Sequence, residues 1–125
     1  MYKIIFTFAG FSGLVAVALG AFAAHGLKGK LDQQLLHAFE TGVNYQMFHT
    51  LVLLQTCFMI QQWGKNWALE YASYAFAMGI LLFSGSLYLL ALTSMKWLGP
   101  ITPLGGLFFI LGWALLALGI WQHAH

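Results

Sequence analysis

The chain has 125 residues, 61% hydrophobic and 6% charged, and its 14 glycines lift the apolar share to about 72%, against ~45–50% in soluble domains. Five lysines, two glutamates and one aspartate, with no arginine, cannot coat a soluble domain of this size, so the chain reads as an integral membrane protein. The same numbers exclude a disordered chain and, with the lysines scattered singly, a nucleic-acid binder, which needs a basic stripe.

In chain order, residues 4–24 form an uncharged apolar run. As a helix it is about 31 Å long, matching the ~30 Å hydrocarbon core. Lys3 before it and Ala21-Phe22-Ala23 near its end resemble a cleavable leader. The run is longer than the usual ~7–15 apolar residues of such a segment, which predicts a retained span. Residues 25–42 are the longest polar stretch, with Asp32 placed to cap a helix. Leu31, Leu35, Ala38 and Phe39 then recur at helical spacing, predicting a short amphipathic segment at the interface or leading into the second span, with Gly42 as the bend between them.

The second span, residues 43–60, carries Asn44, Gln46, His49, Thr50, Gln55 and Thr56. Unpaired amides and imidazole are costly in hydrocarbon, so this helix belongs near the bundle interior or an oligomer interface. Gln61–Trp67 connects it to a third span within residues 71–93. The fourth lies within 101–121, after Ser94–Pro103, with Pro103 suited to a first helical turn. Tyr2, Trp63, Trp67, Tyr71, Trp97 and Trp121 fall near span ends, as interfacial anchors do, while Trp113 reads as a packing residue. The runs are too long and continuous for a β-barrel. The expected fold is all-α: one domain, a four-transmembrane-helix bundle with a short amphipathic segment between helices 1 and 2. Both termini lie on one side, and Lys28, Lys30 and Lys96 against Lys3 and Lys65 lean slightly toward cytoplasmic first and third connections.

Small residues carry the packing signal. Ala16, Gly20 and Ala24 form one ridge with Gly13 close by, Ala75 and Gly79 another, followed by Ser84-Gly85-Ser86. Gly105, Gly112 and Gly119 repeat every seventh residue down one face of the last helix. Such rows permit close backbone approach, which leucine at Gly20 or Gly112 would block.

Polar residues of the second span fall on two edges of a helical wheel. His37, Glu40, Asn44, Gln55 and Gln62 share one, while His49 and Thr56 lie on the other, which predicts an edge for each of two neighbouring helices. One reading makes them interhelical hydrogen bonds, for instance His49 to a serine of the third helix, within a protein of structural or interaction role. The alternative is a small proton-coupled transporter or channel using His49 with Asn44 and Gln55. The first weighs more, because a transport route wants a carboxylate at depth and Glu40 lies near the membrane edge. A lipid-acting enzyme is a third reading and needs His25, His37 and Glu40 clustered at the interface. The candidate functional residues are therefore His25, His37, Glu40, Asn44, His49 and Gln55. Their spacing fits no compact metal motif. The lone Cys57 allows neither an intrachain disulfide nor a thiolate cluster. Ser84-Gly85-Ser86 lacks a nucleophile-elbow context. No catalytic residue, cofactor or metal is expected. The expected partners are membrane lipids and either further copies of the chain or another membrane protein.

Four segments together, residues 20–31 (GAFAAHGLKGKL), 37–53 (HAFETGVNYQMFHTLVL), 82–92 (LFSGSLYLLAL) and 101–118 (ITPLGGLFFILGWALLAL), resemble the small bacterial inner-membrane family typified by YgdD and YwdK. The resemblance covers essentially the whole chain. It implies a four-span, multi-pass protein of the bacterial inner membrane and carries no catalytic or ligand role onto any residue.

Overall fold

The structure, a computed structural model, describes residues 2–124. Helix α1 spans Tyr2–His25 and α2 spans Gln33–Trp63; α3 (Trp67–Gly79) runs through a π-helical turn, Ile80–Ser84, into α4 (Gly85–Thr93). A 3₁₀ turn at Lys96–Leu98 precedes α5, Ile101–Ala124. The result is four long helical rods, the third made of α3, the π turn and α4, with no strand among the described residues. Three of the rods, within Lys3–His25, Trp67–Thr93 and Lys96–His123, are long and apolar enough to cross a membrane by themselves. The fourth, α2, is diluted by its amides, hydroxyls and imidazole.

Local chemistry sets the boundaries. The Asp32 side chain accepts from Leu35 N–H at 2.8 Å and starts α2. Gly64, at φ 90°, ends it, where a side chain would be strained. Asn66 then caps α3 by accepting from Ala68 N–H and Leu69 N–H at 2.9 and 3.1 Å. Pro103 sits in the first turn of α5, as its missing N–H requires.

The amphipathic segment takes the second of its two expected placements, leading straight into the second span, and the reading of Gly42 needs correction. The amphipathic segment and the second span are one unbroken helix of 31 residues, about 46 Å long. Gly42 is therefore not a bend. Any Cβ there would lie 2.8 Å from Tyr88 Cε1, so its task is to let α4 approach.

α2 is the central rod, with α1 packed on one side and the third rod on the other, and α5 lies mainly against α3. One apolar cluster unites Ala9, Leu53, Cys57, Ile60, Leu69, Ala72, Phe76, Ile80, Phe109 and Leu116. A second gathers Ala23, Leu27, Phe39 and Ala91 nearer the first connection. The contact of the third rod with α5 is a ladder of knobs and notches: Leu69 and Phe76 of α3 and Phe83 of the π turn press against Gly119, Gly112 and Gly105. Both sets repeat every seven residues and run antiparallel, so each large side chain meets a missing one. Membrane helices gain from such intimate van der Waals contact because lipid supplies no hydrophobic drive between them.

Neighbouring glycines test this. A Cβ at Gly105 would fall 2.3 Å from Phe83 N, part of a backbone that cannot step aside, whereas one at Gly106 meets Phe83 Cδ2 at 3.8 Å. Gly105→Ala is expected to destabilise the protein by about 1–3 kcal/mol despite alanine's better helix propensity. Gly106→Ala should leave stability unchanged or slightly raised. Thermal unfolding in detergent micelles measures both.

Candidate functional site

The inward face of α2 holds a polar girdle between the two apolar clusters. Gln46 and Thr50 are buried there and reach Ser12 on α1. Gln46 Nε2 donates to Ser12 O at 2.8 Å and to Ser12 Oγ at 3.1 Å, while Ser12 and Thr50 share a hydroxyl hydrogen bond of 2.7 Å. Tyr88 O–H of α4 donates to Gln46 Oε1. One amide thus joins three helices with its donor and acceptor ends both used. Beside it, Ser84 O–H donates to Gly42 O at 2.7 Å, tying the π turn to α2. Ser86 and Thr102 link α4 to α5 through a 2.6 Å bond.

His49 lies toward α5, buried at 5% exposure. Its ring stacks on Phe109, with centroids 3.7 Å apart and planes 12° from parallel. Trp113 Nε1–H donates to His49 Nε2 at 3.1 Å, and Nδ1 lies 2.9 Å from Tyr45 O. Indole only donates, so Nε2 must present its lone pair and Nδ1 must carry the proton. The imidazole is held neutral in one tautomer, with both nitrogens engaged. Its partner is therefore an indole on the last helix rather than a serine on the third.

The other wheel edge faces outward. His37, Glu40, Asn44, Gln55 and Gln62 are all exposed along α2, and among the described residues no helix covers them. The expectation of one neighbour for each edge thus holds only for the His49 side. Two grooves flank this edge. An aromatic one of about 660 Å³ runs between α2 and α5, lined by Asn44, Tyr45, Phe48, His49, Phe83 and Trp113 among others. A smaller one of about 320 Å³ lies between α1 and α2 and holds His37, Glu40 and Asn44. Asn44 stands on the rim of both. His25, exposed at the end of α1, and Gln55, farther along α2, line neither. Among the described residues, no three of His, Cys, Asp and Glu group as metal ligands.

Gln46 is the residue that sequence reasoning undervalued. It stands three and four positions before His49 and Thr50, on the face of α2 that also carries Phe39, Gly42 and Leu53. That spacing was a usable signal, but a glutamine looks the same on an inner or an outer face until its neighbours are known.

Two perturbations check the site. Tyr88→Phe should cost about 0.6–2 kcal/mol and Gln46→Leu about 1–3 kcal/mol, with the double variant costing less than the sum because the two share a bond. Unfolding in micelles reads the coupling. For His49, ¹⁵N resonances are expected to show the neutral Nδ1-protonated form, and Trp113→Phe should shift the Nε2 signal.

The UPF0382 membrane protein YwdK of Bacillus subtilis strain 168 is 41% identical over 114 residues, covering 91% of this chain and 93% of its own. The UPF0382 inner membrane protein YgdD of Escherichia coli K12 is 40% identical over 117 residues, covering 94% and 88%. A UPF0382 membrane protein of Haemophilus influenzae Rd is 45% identical over 113 residues, covering 90% of each chain. No solved structure matches. The family model described as "Protein of unknown function (DUF423)" matches residues 19–106, and with these relatives it places the chain in that family of membrane proteins.

Proposed function

We propose that the chain is a four-span, non-enzymatic protein of the bacterial inner membrane with a structural or interaction role. The observation that carries this reading is the division of polar groups on α2. Those facing inward are consumed by the fold, through Gln46 with Ser12 and Tyr88 and through His49 with Trp113 and Tyr45. Those facing outward are left for something beyond the chain. An interior with its hydrogen bonds closed is a scaffold, and its outer polar edge is where a partner is recognised.

α2 serves as the remaining span. Between Glu40 and Gln61 it is uncharged for a stretch of about 30 Å, the thickness of the hydrocarbon core. Its buried polar atoms cost little there because each has a partner inside the bundle. The preceding turns, with His37 and Glu40, then lie at headgroup depth. A proton route through His49 gains no support from this geometry, since its ring nitrogens both hold other groups.

Two measurements test the proposal. In a Cys57→Ala background, Lys30→Cys and Lys65→Cys are expected to react with an impermeant thiol reagent from opposite sides of sealed vesicles; reaction from the same side would overturn the fourth span. Vesicles containing the protein should show no proton flux above empty vesicles, with or without His49→Ala. A flux abolished by His49→Ala would replace the scaffold with a conductor.

A further inference from the structure

We propose that two copies of the chain form a parallel homodimer in the membrane, α2 against α2, along a seam of Asn44, Phe48, Leu51, Gln55, Phe58 and Gln62. The inference deepens the interaction role above and rests on α2 crossing the bilayer.

The seam is visible once the buried face of α2 is subtracted. These six residues are separated alternately by four and three positions, and all are exposed, with Phe48 and Leu51 at 58% and Phe58 at 51%. At 3.6 residues per turn they occupy one stripe about 80° wide. Four-three spacing sustained over about five turns is the pattern by which two helices interlock side chains along a left-handed crossing.

Exposed phenylalanine and leucine alone would be ordinary on a lipid-facing helix. The amides are not. Asn44 and Gln55 have no hydrogen-bond partner among the described residues. They stand about 16 Å apart along the axis, on either side of Leu51, and both fall inside the uncharged stretch of α2. In hydrocarbon each amide needs both a donor and an acceptor opposite it. A lipid headgroup can serve at most the one nearer the surface. A second α2 in the same orientation serves both in a single register, because a two-fold axis along the membrane normal sets Asn44 against Asn44 and Gln55 against Gln55. An amide pairs with its own kind reciprocally, nitrogen to oxygen in each direction. The grooves flanking Asn44 leave room for the facing Phe48 to sink beside its ridge.

Cross-linking tests the arrangement in vesicles with the full chain carrying Cys57→Ala. Phe58→Cys should oxidise to a covalent dimer, since position 58 meets itself only when the helices run parallel. Val17→Cys, on the 63% exposed outer face of α1, should not. Dimer formation at 17 but not at 58 would overturn the seam. The amides are tested by Asn44→Leu with Gln55→Leu, which keeps the stripe apolar. Dimer dissociation, followed by fluorescence transfer as lipid dilutes the protein, should weaken at least tenfold. The melting temperature of the monomer should stay unchanged, because neither side chain holds the fold. Undiminished association in this variant, or a monomeric wild type at all dilutions, would overturn the dimer. If Lys30→Cys and Lys65→Cys still react from opposite sides, that failure leaves the four-span scaffold standing.

Discussion

A single side-chain amide organises this bundle. Gln46 spends its donors on Ser12 of α1 and its acceptor on Tyr88 of α4, so three helices converge on one planar group. In a bilayer, where water offers no substitute partner, such a group fixes rotation and depth more firmly than apolar contact does. Helices coated in leucine and phenylalanine can slide or turn with little change in contact. A glutamine with three hydrogen bonds cannot. Placing it between the two apolar clusters pins both ends of the bundle in register.

Packing between α3 and α5 solves the complementary problem by subtraction. Glycine at positions 105, 112 and 119 lets the α5 backbone come close, and Leu69, Phe76 and Phe83 fill the space. The π turn lies where this arrangement hands over to the other neighbour. Upstream the third rod presents large residues to α5, and downstream Ser84, Leu87 and Tyr88 meet α2 at Gly42 and Gln46. A turn wider than an α-helical one changes the direction in which following side chains point, which allows one rod to serve two partners.

Much of this was legible beforehand. Long uncharged runs gave the helices, Asp32 gave the start of α2, and the seven-residue glycine row marked a tight interface. The aromatic residues Trp67, Tyr71, Trp97 and Trp121 do stand exposed near helix ends. Less legible was which partner each element would choose. Gly42 has the same letter whether it bends a helix or admits Tyr88, and the sequence pattern alone cannot tell close approach from flexibility. Wheel geometry correctly separated the two polar edges of α2, yet it could not say that one would be covered and the other left bare. Covering depends on how the four rods pack against one another, a tertiary fact. His49 shows the same limit: its burial followed from its edge, but the identity of its donor depended on α5, which is 64 residues away at Trp113.

The position of α1 at the margin of the bundle bears on how the protein is made. It touches mainly α2, and the carbonyl and hydroxyl oxygens of its Ser12 are the groups that receive Gln46. Since α1 precedes α2 in the chain, α2 is made with a companion already there for its amide hydrogens. The matching oxygen is claimed only when the third rod follows with Tyr88. The most polar helix of the protein is thus chaperoned by its own neighbours, in the order in which the chain emerges.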